Sequence, residues 1–403
     1  MNRKFLVSIV MIGFFHAGAS AQWTSTTGPY GGIVRRFAVS GQNLFAALDS
    51  GGVFLSTDGA SWTAVNNGLT NRSVWALTVS GSNLFAGTNG GGAYLSANNG
   101  GNWTQVNNGL VGTFIHAFAV SGSYVLAADP NGAFRSSNNG ISWTKVDTGM
   151  TNTDVIAFAV SDSNLYAGTL GGVFVSTNSG AKWTAVNTGL TAGIVIALVV
   201  AGQNLFDATY PSGMFLSTNG GIGWKSVANN LGSMQVHCLA ASGSIVFAGS
   251  DSGVYLSSNN GTSWAHVNTG LPANAKVHSL IVTATDLFAG TDKFGVWRRP
   301  LSDMITAVND GDNDAPKQFS LSQNYPNPFN PSTTISFSLA FKSFVSLKVF
   351  DMVGREVMTL YDGELSAGKY SQQWNASAFS SGAYFYRLEA GNAIQTRKLV
   401  LIK

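Results

Sequence analysis

The chain has 403 residues, of which 45% are apolar and only 10% charged, and glycine takes 48 positions. Good helix formers are scarce, and the mixture fits short strands joined by tight turns. Glu occurs only at Glu356, Glu364 and Glu389, which excludes a Glu acid, base or nucleophile anywhere before them; a net charge of +3 without a basic stripe excludes a nucleic-acid binder, and the single Cys238 excludes an intrachain disulfide, a Cys-pair zinc site and a thiol relay.

The N-terminus reads as an export signal. Met1-Asn2-Arg3-Lys4 is basic, Phe5 to Phe15 is apolar, and Ala19-Ser20-Ala21 offers small residues for cleavage before Gln22. The apolar run is too short to span ~30 Å of hydrocarbon as a helix. Residues 1–21 are therefore expected to be removed, leaving a mature chain without a transmembrane segment.

Repeats dominate the chain from residue 22 to residue 300. Trp23, Trp62, Trp103, Trp143, Trp183, Trp224 and Trp264 recur at spacings of 39 to 41 residues, and the surrounding text recurs with them. One unit runs Val74-Trp75-Ala76-Leu77-Thr78-Val79-Ser80, Asn83-Leu84-Phe85-Ala86-Gly87-Thr88, Gly92-Ala93-Tyr94-Leu95-Ser96 and Trp103-Thr104-Gln105-Val106. Each block is strand-like and Gly, Asn or Ser separates the blocks, giving four short strands per unit. First strands begin at Val34, Val74, Ile115, Val155, Val195, Val236 and Val277. Seven units of four strands predict an all-β chain with a seven-bladed β-propeller over residues 22–300. An open solenoid would need polar capping repeats, which are missing. The seventh unit stops at Gly295-Val296-Trp297, short of its Trp-Thr strand, and Gln22-Trp23-Thr24 supplies that strand from the other end of the chain.

Between third and fourth strands lies a turn such as Ser96-Ala97-Asn98-Asn99-Gly100-Gly101-Asn102-Trp103. This text resembles the Asp-box family of sialidase-like propellers, with pattern Ser-x-Asp-x-Gly-x-Thr-Trp. Six copies carry Asp58, Asn98, Asn138, Asn178, Asn219 and Asn259, ending at Trp62, Trp103, Trp143, Trp183, Trp224 and Trp264; the Asp58 copy is one residue short. An Asx side chain can accept from the backbone two residues on, and Gly supplies a positive φ. The resemblance implies that these boxes are structural and lie away from any active site.

Residues 301–317 are rich in Asp, Asn, Gly and Pro and are expected to form a solvated linker. Tyr325-Pro326-Asn327-Pro328-Phe329-Asn330-Pro331 then opens a second all-β unit over residues 318–403, an Ig-like β-sandwich. Strands are expected at Ile335–Leu339, Val345–Asp351, Glu356–Leu360, Tyr384–Leu388 and Thr396–Ile402, with turns at Gly354 and Gly382 among others. The Tyr325–Asn330 core, Val349-Phe350-Asp351 with Gly354, Ser381-Gly382-Ala383-Tyr384-Phe385-Tyr386 and the Lys398–Lys403 terminus resemble the type A C-terminal sorting domain of the type IX secretion system. The resemblance implies the secretion machinery as partner and a final place outside a Gram-negative cell, either free or on its surface, reached through the periplasm.

The second residue of the first strand is the one position that varies from unit to unit: Arg35, Trp75, His116, Ile156, Ile196, His237 and His278. First strands line a propeller channel, so these residues predict a ring near one mouth. Loops opening on the same face add Tyr30, Arg72, Tyr210, Lys276, Lys293 and Phe294. Arg35, Trp75, His116, His237, His278, Arg72 and Tyr210 are the candidate ligand contacts, for a glycan or a protein. Water-bridged channel lining accounts for the same residues. His116 and His237 fall on opposite units, which argues against one metal ion, and no cofactor is expected. Glycosidase chemistry would need an Asp pair from Asp49, Asp129, Asp251 and Asp292, which equivalent loops explain equally well. No catalytic residue is assigned. The expected function is non-catalytic binding or scaffolding at the cell surface. The alternatives are a secreted sialidase- or glycanase-like glycoside hydrolase and an assembly factor that docks protein partners.

Overall fold

The computed structural model describes residues 22–402, apart from 162–163, 192, 212, 229–230, 232–234, 308–318, 340–342, 366–367 and 391–392. The expected signal at residues 1–21 lies outside them. Two compact units are present, divided between Val308 and Asn309.

The first unit holds seven four-stranded antiparallel sheets. Blade 2 shows the pattern, with Val74–Ser80, Asn83–Thr88, Gly92–Ser96 and Thr104–Gln105 side by side. The second strand of each blade is buried on both faces, so its residues are apolar or small: Phe45, Phe85, Phe206 and Phe247 have no exposed surface. A separate apolar cluster fills the space between each adjacent pair of blades. Phe85 and Ala93 of blade 2, for example, pack with Val125, Phe134 and Trp143 of blade 3. The seventh blade is completed from the N-terminus, where Thr24–Ser25 pairs antiparallel with Val296–Pro300.

The recurring tryptophans join one blade to the preceding one. Trp103, Trp143, Trp183, Trp224, Trp264 and Trp23 each donate their indole N–H to a backbone carbonyl of the blade before, at Val65, Val106, Val146, Val186, Val227 and Val267, over 2.6 to 2.9 Å. Trp62 reaches the equivalent residue of the N-terminal strand but bonds its side chain, Thr26 Oγ1, at 3.0 Å. Gly68 shows why glycine recurs beside these contacts. Its φ is 80° and a Cβ there would run into the carbonyl oxygen of Trp103.

The Asx turns set the tryptophans in place. Asn98 Oδ1 accepts from Ser96 Oγ and from the N–H of Asn102, four residues on, and Asn138, Asn178, Asn219 and Asn259 repeat the arrangement. The two-residue reach expected from sequence holds only in the shorter turn, where Asp58 accepts from Ala60 and Ser61 N–H groups and from Ser61 and Ser56 hydroxyls. Those bonds, the Ser61 and Ala60 N–H first, hold the Asp58 carboxyl well below its ordinary range.

The expected linker begins later than residue 301. Leu301–Ala307 is helical, and Leu301 and Met304 are buried in the cluster that holds Trp23 and Val267. Two apolar residues three apart suffice to seat one helical turn, a pattern that the acidic run after it obscures in sequence. Residues 308–317 lie outside the described residues.

The second unit packs a three-stranded sheet, Ser320–Leu321, Ser332–Leu339 and Gly368–Asn375, against a four-stranded sheet in the order Glu356–Leu365, Ser343–Phe350, Gly382–Ala390 and Ala393–Leu401. Ile335, Phe337, Leu347, Val349, Trp374 and Tyr386 fill the space between. Gly368–Asn375 is a strand that sequence reasoning missed. Its outward residues are polar and Gln372 interrupts the inward face, yet Trp374 is fully buried.

One core residue departs from the repeat. Asp207 stands where the other blades have Ala46, Ala86, Ala127, Ala167, Ala248 and Ala289, and it is fully buried. Thr209 Oγ1 donates to its Oδ2, while Oδ1 has no partner. Burial pushes its carboxyl up to about 7. The folded state therefore favours the protonated acid, and stability is greatest below the unfolded value of about 3.9.

Both the closing strand and the buried acid can be tested by melting. Deleting residues 22–27 removes buried Trp23 and the closing strand, and the melting temperature should fall by roughly 10 °C, from about 3–5 kcal/mol for the Trp alone; an unchanged melt would refute closure by this strand. Wild type should lose stability relative to Asp207→Asn as pH rises from about 4 to about 7, by on the order of a few kcal/mol, and the gap should stay constant above that. Melting curves of the two proteins that run parallel from pH 4 to 8 would show that Asp207 does not titrate this way.

Candidate functional site

The ring of variable residues has a structural cause. In six blades the pairing between first and second strands skips one residue, and the skipped residue is Arg35, Trp75, Ile156, Ile196, His237 or His278. Each is a β-bulge, which leaves a residue without a cross-strand partner and re-aims its side chain. In blade 3, His116 immediately precedes Ala117–Ser121 and its N–H bonds to Ala128 O at 2.9 Å. All seven side chains converge on one cavity of about 220 Å³, together with Arg36 and Phe114.

Contacts run around this cavity from blade to blade. The Arg35 guanidinium lies 4.4 Å from the centre of the Trp75 ring, Trp75 meets Phe114 edge-on at 4.9 Å, and Phe114 meets His116 edge-on at 4.3 Å. His237 and His278 lie ring to ring at 4.5 Å. Ile156 and Ile196 make the remaining arc aliphatic. Burial, then the neighbouring His237 and Arg35, push the His278 imidazole down to about 4, so it is neutral at neutral pH.

Carboxylates stand behind the ring. Asp49 pairs with Arg35 at 3.4 Å and accepts from Ile33 N–H; Asp154 lies 3.4 Å from His116; Asp251 pairs with His237 at 2.9 Å and Lys276 at 3.0 Å. Burial pushes the Asp251 carboxyl up, but the bonds from His237 and Lys276 outweigh it and hold it below its ordinary value. Asp129 is buried and accepts from the N–H groups of Gly112 and Asn131. Asp49, Asp129 and Asp251 thus each serve their own loop or a neighbouring cation, whereas Oδ1 of Asp292, the fourth of these acids, is buried without a hydrogen-bond partner. Two cavity-lining donors, Arg35 Nε and Trp75 Nε1, are buried without a hydrogen-bond partner.

Arg72 and Tyr210 are not brought into this cavity. Arg72 lines a separate surface depression with Asn66 and Thr70, and exposed Tyr210 lines another with Thr209 and Pro211. Phe114 and Arg36 are the cavity residues that the sequence did not single out. The available signals were an aromatic immediately before a first strand and an arginine in the register of Ala76, Ala117, Ala157 and Ala197. Cys238 shares that register, is buried, and has its thiol pushed up to about 12 by burial.

In the second unit, the Tyr325-Pro326-Asn327-Pro328 segment is exposed between two buried anchors, Asn324 and Phe329. Asn324 is held by Tyr386 Oη, Thr333 Oγ1 and the Pro326 carbonyl, and Phe329 packs on Trp374 at 5.6 Å. Tyr325 is 82% exposed and Asn330 is exposed as well. Gly354 (φ 80°) closes a turn in which Asp351 accepts from Val353 and Arg355, and Gly382 opens the strand that carries Tyr384 and Tyr386.

Comparison with known proteins agrees with this architecture. Residues 15–113 and 93–196 match the DUF6242 beta propeller domain, and residues 323–403 match the Secretion system C-terminal sorting domain. No curated protein matches in sequence. Among solved structures, the extracellular domain of BT4673 from B. thetaiotaomicron aligns over 81% of this chain and 46% of its own, with TM-score 0.57 and 18% identity. PorZ, a surface component of the type IX secretion system of Porphyromonas gingivalis, aligns over 93% of this chain and 60% of its own, with TM-score 0.54 and 16% identity. YCF48 bound to a D1 peptide aligns over 69% and 96%, with TM-score 0.57 and 12% identity. This chain thus spans only about half the length of the first two, and at these identities the likeness concerns the fold. No helix among the described residues is long and apolar enough to cross a membrane. The chain joins a β-propeller domain to a C-terminal sorting domain, the address that sends a protein through the type IX secretion system to the cell surface or beyond.

Proposed function

We propose that this chain is a non-catalytic binding or scaffolding module displayed outside the cell, with the cavity at the channel mouth as its ligand site. One observation carries this reading: the position that varies between otherwise uniform blades is a bulge residue in every paired case, and all seven converge on a single cavity. Residues 1–21 act in this reading as the signal for the inner membrane, and residues 318–403 engage the secretion machinery. Asp58, its five Asn counterparts and the tryptophans are structural. The ligand is a glycan or a protein segment small enough at its tip to enter about 220 Å³.

Docking of a protein partner, as in an assembly factor, is the second reading. It is favoured by exposed Tyr30 and Phe294 on the loops expected to share the face of the cavity, by exposed Tyr210 at the strand end beside them, and by the peptide-bound state of the YCF48 neighbour. Glycoside hydrolysis is less well supported, because three of the four acids it could draw on, Asp49, Asp129 and Asp251, already have partners in their own blades or next to them, which leaves Asp292 without a free carboxylate among these to pair with.

Screening the secreted protein against glycans and surface proteins should give a ligand whose affinity falls at least tenfold, about 1.4 kcal/mol, on combined Trp75→Ala, His116→Ala and His278→Ala substitution; binding that survives all three dismisses the mouth. For the export reading, expression in a type IX host with and without residues 318–403 should leave the truncated form in the periplasm. Equal export of both forms would contradict it.

A further inference from the structure

The channel below the mouth holds a cation that the mouth alone does not explain. In the register occupied by Ala76, Ala117, Ala157, Ala197, Cys238 and Ser279 in the other blades, blade 1 has Arg36. Its side chain borders two cavities at once, the mouth of about 220 Å³ and a second of about 170 Å³ lined by those small residues. The guanidinium makes one hydrogen bond, Nη1 to Arg35 O at 2.8 Å. Among the described residues no carboxylate pairs with it, and the ionisable groups that act on it are the Cys238 thiol and the like-charged Arg35. Its place among the first strands lowers its pKa, desolvation being the largest cause. A guanidinium has five donors in a planar fork, and four of them have no acceptor among the described residues. Arg35 Nε and Trp75 Nε1 at the same mouth also lack acceptors.

The Arg36 side chain is part-buried and none of its nitrogens is sealed in protein without a partner, so its fork is open to the cavities it borders and available to a ligand. The acidic side chains of the mouth do not pair with it. Asp49 is engaged by Arg35, Asp154 lies at His116, Asp251 is engaged by His237 and Lys276, and Asp292, whose Oδ1 is buried without a hydrogen-bond partner, acts on His278 and is not among the groups that act on Arg36. An acceptor that reaches this fork from outside the chain has to fit a channel that small residues line at this level. We propose that the propeller channel is a carboxylate-binding site, in which Arg36 receives the carboxylate of a ligand bidentately and the Arg35–Trp75 edge of the mouth flanks the rest of it. This deepens the reading of the mouth as the ligand site and rests on it, because it specifies the chemistry of the ligand's innermost group. Planar bidentate pairing with a carboxylate is the geometry a guanidinium favours.

The test uses the mature full chain and acetate as the probe, with chloride at equal ionic strength as the control. Acetate should raise the melting temperature saturably, as a ligand that binds only the folded state does, and calorimetric titration should show one site per chain. Arg36→Ala, which restores the residue of four other blades, should fold, lose the acetate effect entirely and be at least as stable as wild type without acetate. Arg36→Lys keeps the charge without the fork and should bind more weakly than wild type. Wild type that responds identically to acetate and chloride, or an Arg36→Ala protein that keeps the acetate response, overturns the proposal. So does an Arg36→Ala protein destabilised equally with and without acetate, since Arg36 is then a packing residue. If acetate fails while the substitutions at Trp75, His116 and His278 still abolish capture of a glycan or protein, the mouth remains the ligand site and only the carboxylate assignment falls.

Discussion

The indole-to-carbonyl bond between neighbouring blades is the interaction on which the rest of this propeller depends. A blade alone is a four-stranded sheet with two apolar faces, and it becomes stable only when both are covered. Burying a tryptophan removes about 150–250 Å² from water, several kcal/mol before entropy is counted, and the N–H then requires an acceptor. Each tryptophan finds that acceptor three residues past the tryptophan of the preceding blade. Because the acceptor is a main-chain carbonyl, the contact constrains the spacing of the repeat and leaves the acceptor's side chain free. Only at the seam, where Trp62 meets Thr26, is a side chain used instead.

That constraint accounts for the composition. The indole has to be presented at the end of a turn, which the Ser–Asx bonds build without a charged group except at Asp58. The backbone of the preceding blade has to approach it closely, which requires glycine at Gly68, Gly109, Gly149, Gly189 and Gly270. The seventh blade has no such turn, and the solution differs. Arg299, in the register of Ser96, is buried and donates to the Val267 carbonyl that Trp23 also uses, while Leu301 and Met304 of the short helix cover the seam.

Much of this was legible because period and turn chemistry are local. The four-strand unit, the sevenfold count and the closing strand come from where tryptophan recurs and where the last unit stops. Three features were not legible, for reasons that are physical. A β-bulge leaves no mark in hydrophobic alternation, so the ring position could be located by its variability while its cause stayed hidden. Arg72 lies on a loop and Tyr210 ends the strand Asn204–Tyr210, and a place beside the connections between strands put neither of them in the cavity. Gly368–Asn375 is paired along its length but sets only Tyr370 and Trp374 against the core, with Gln372 between them, and the short helix Leu301–Ala307 is anchored by Leu301 and Met304, so neither element shows an unbroken apolar period.

The bulge also explains how a rigid repeat can host a specific site. A residue in the ladder has cross-strand neighbours on its own face, so a change from Ile to His or Arg there disturbs packing in its blade. A bulge residue has no such neighbour, and Arg35, Trp75, His237, His278, Ile156 and Ile196 can differ with little consequence for the strands that carry them. The next residue inward is less free, because it returns to the ladder and sits where the first strands of adjacent blades meet: Ser279 Oγ donates to Val34 O and Cys238 Sγ to Val277 O. There small side chains are the rule. Cys238 is tolerable outside the cell because burial keeps its thiol protonated and poorly reactive. Arg36 is the one long, charged side chain admitted to that tier, and the tier can admit it only because the channel, rather than a neighbouring blade, receives its guanidinium.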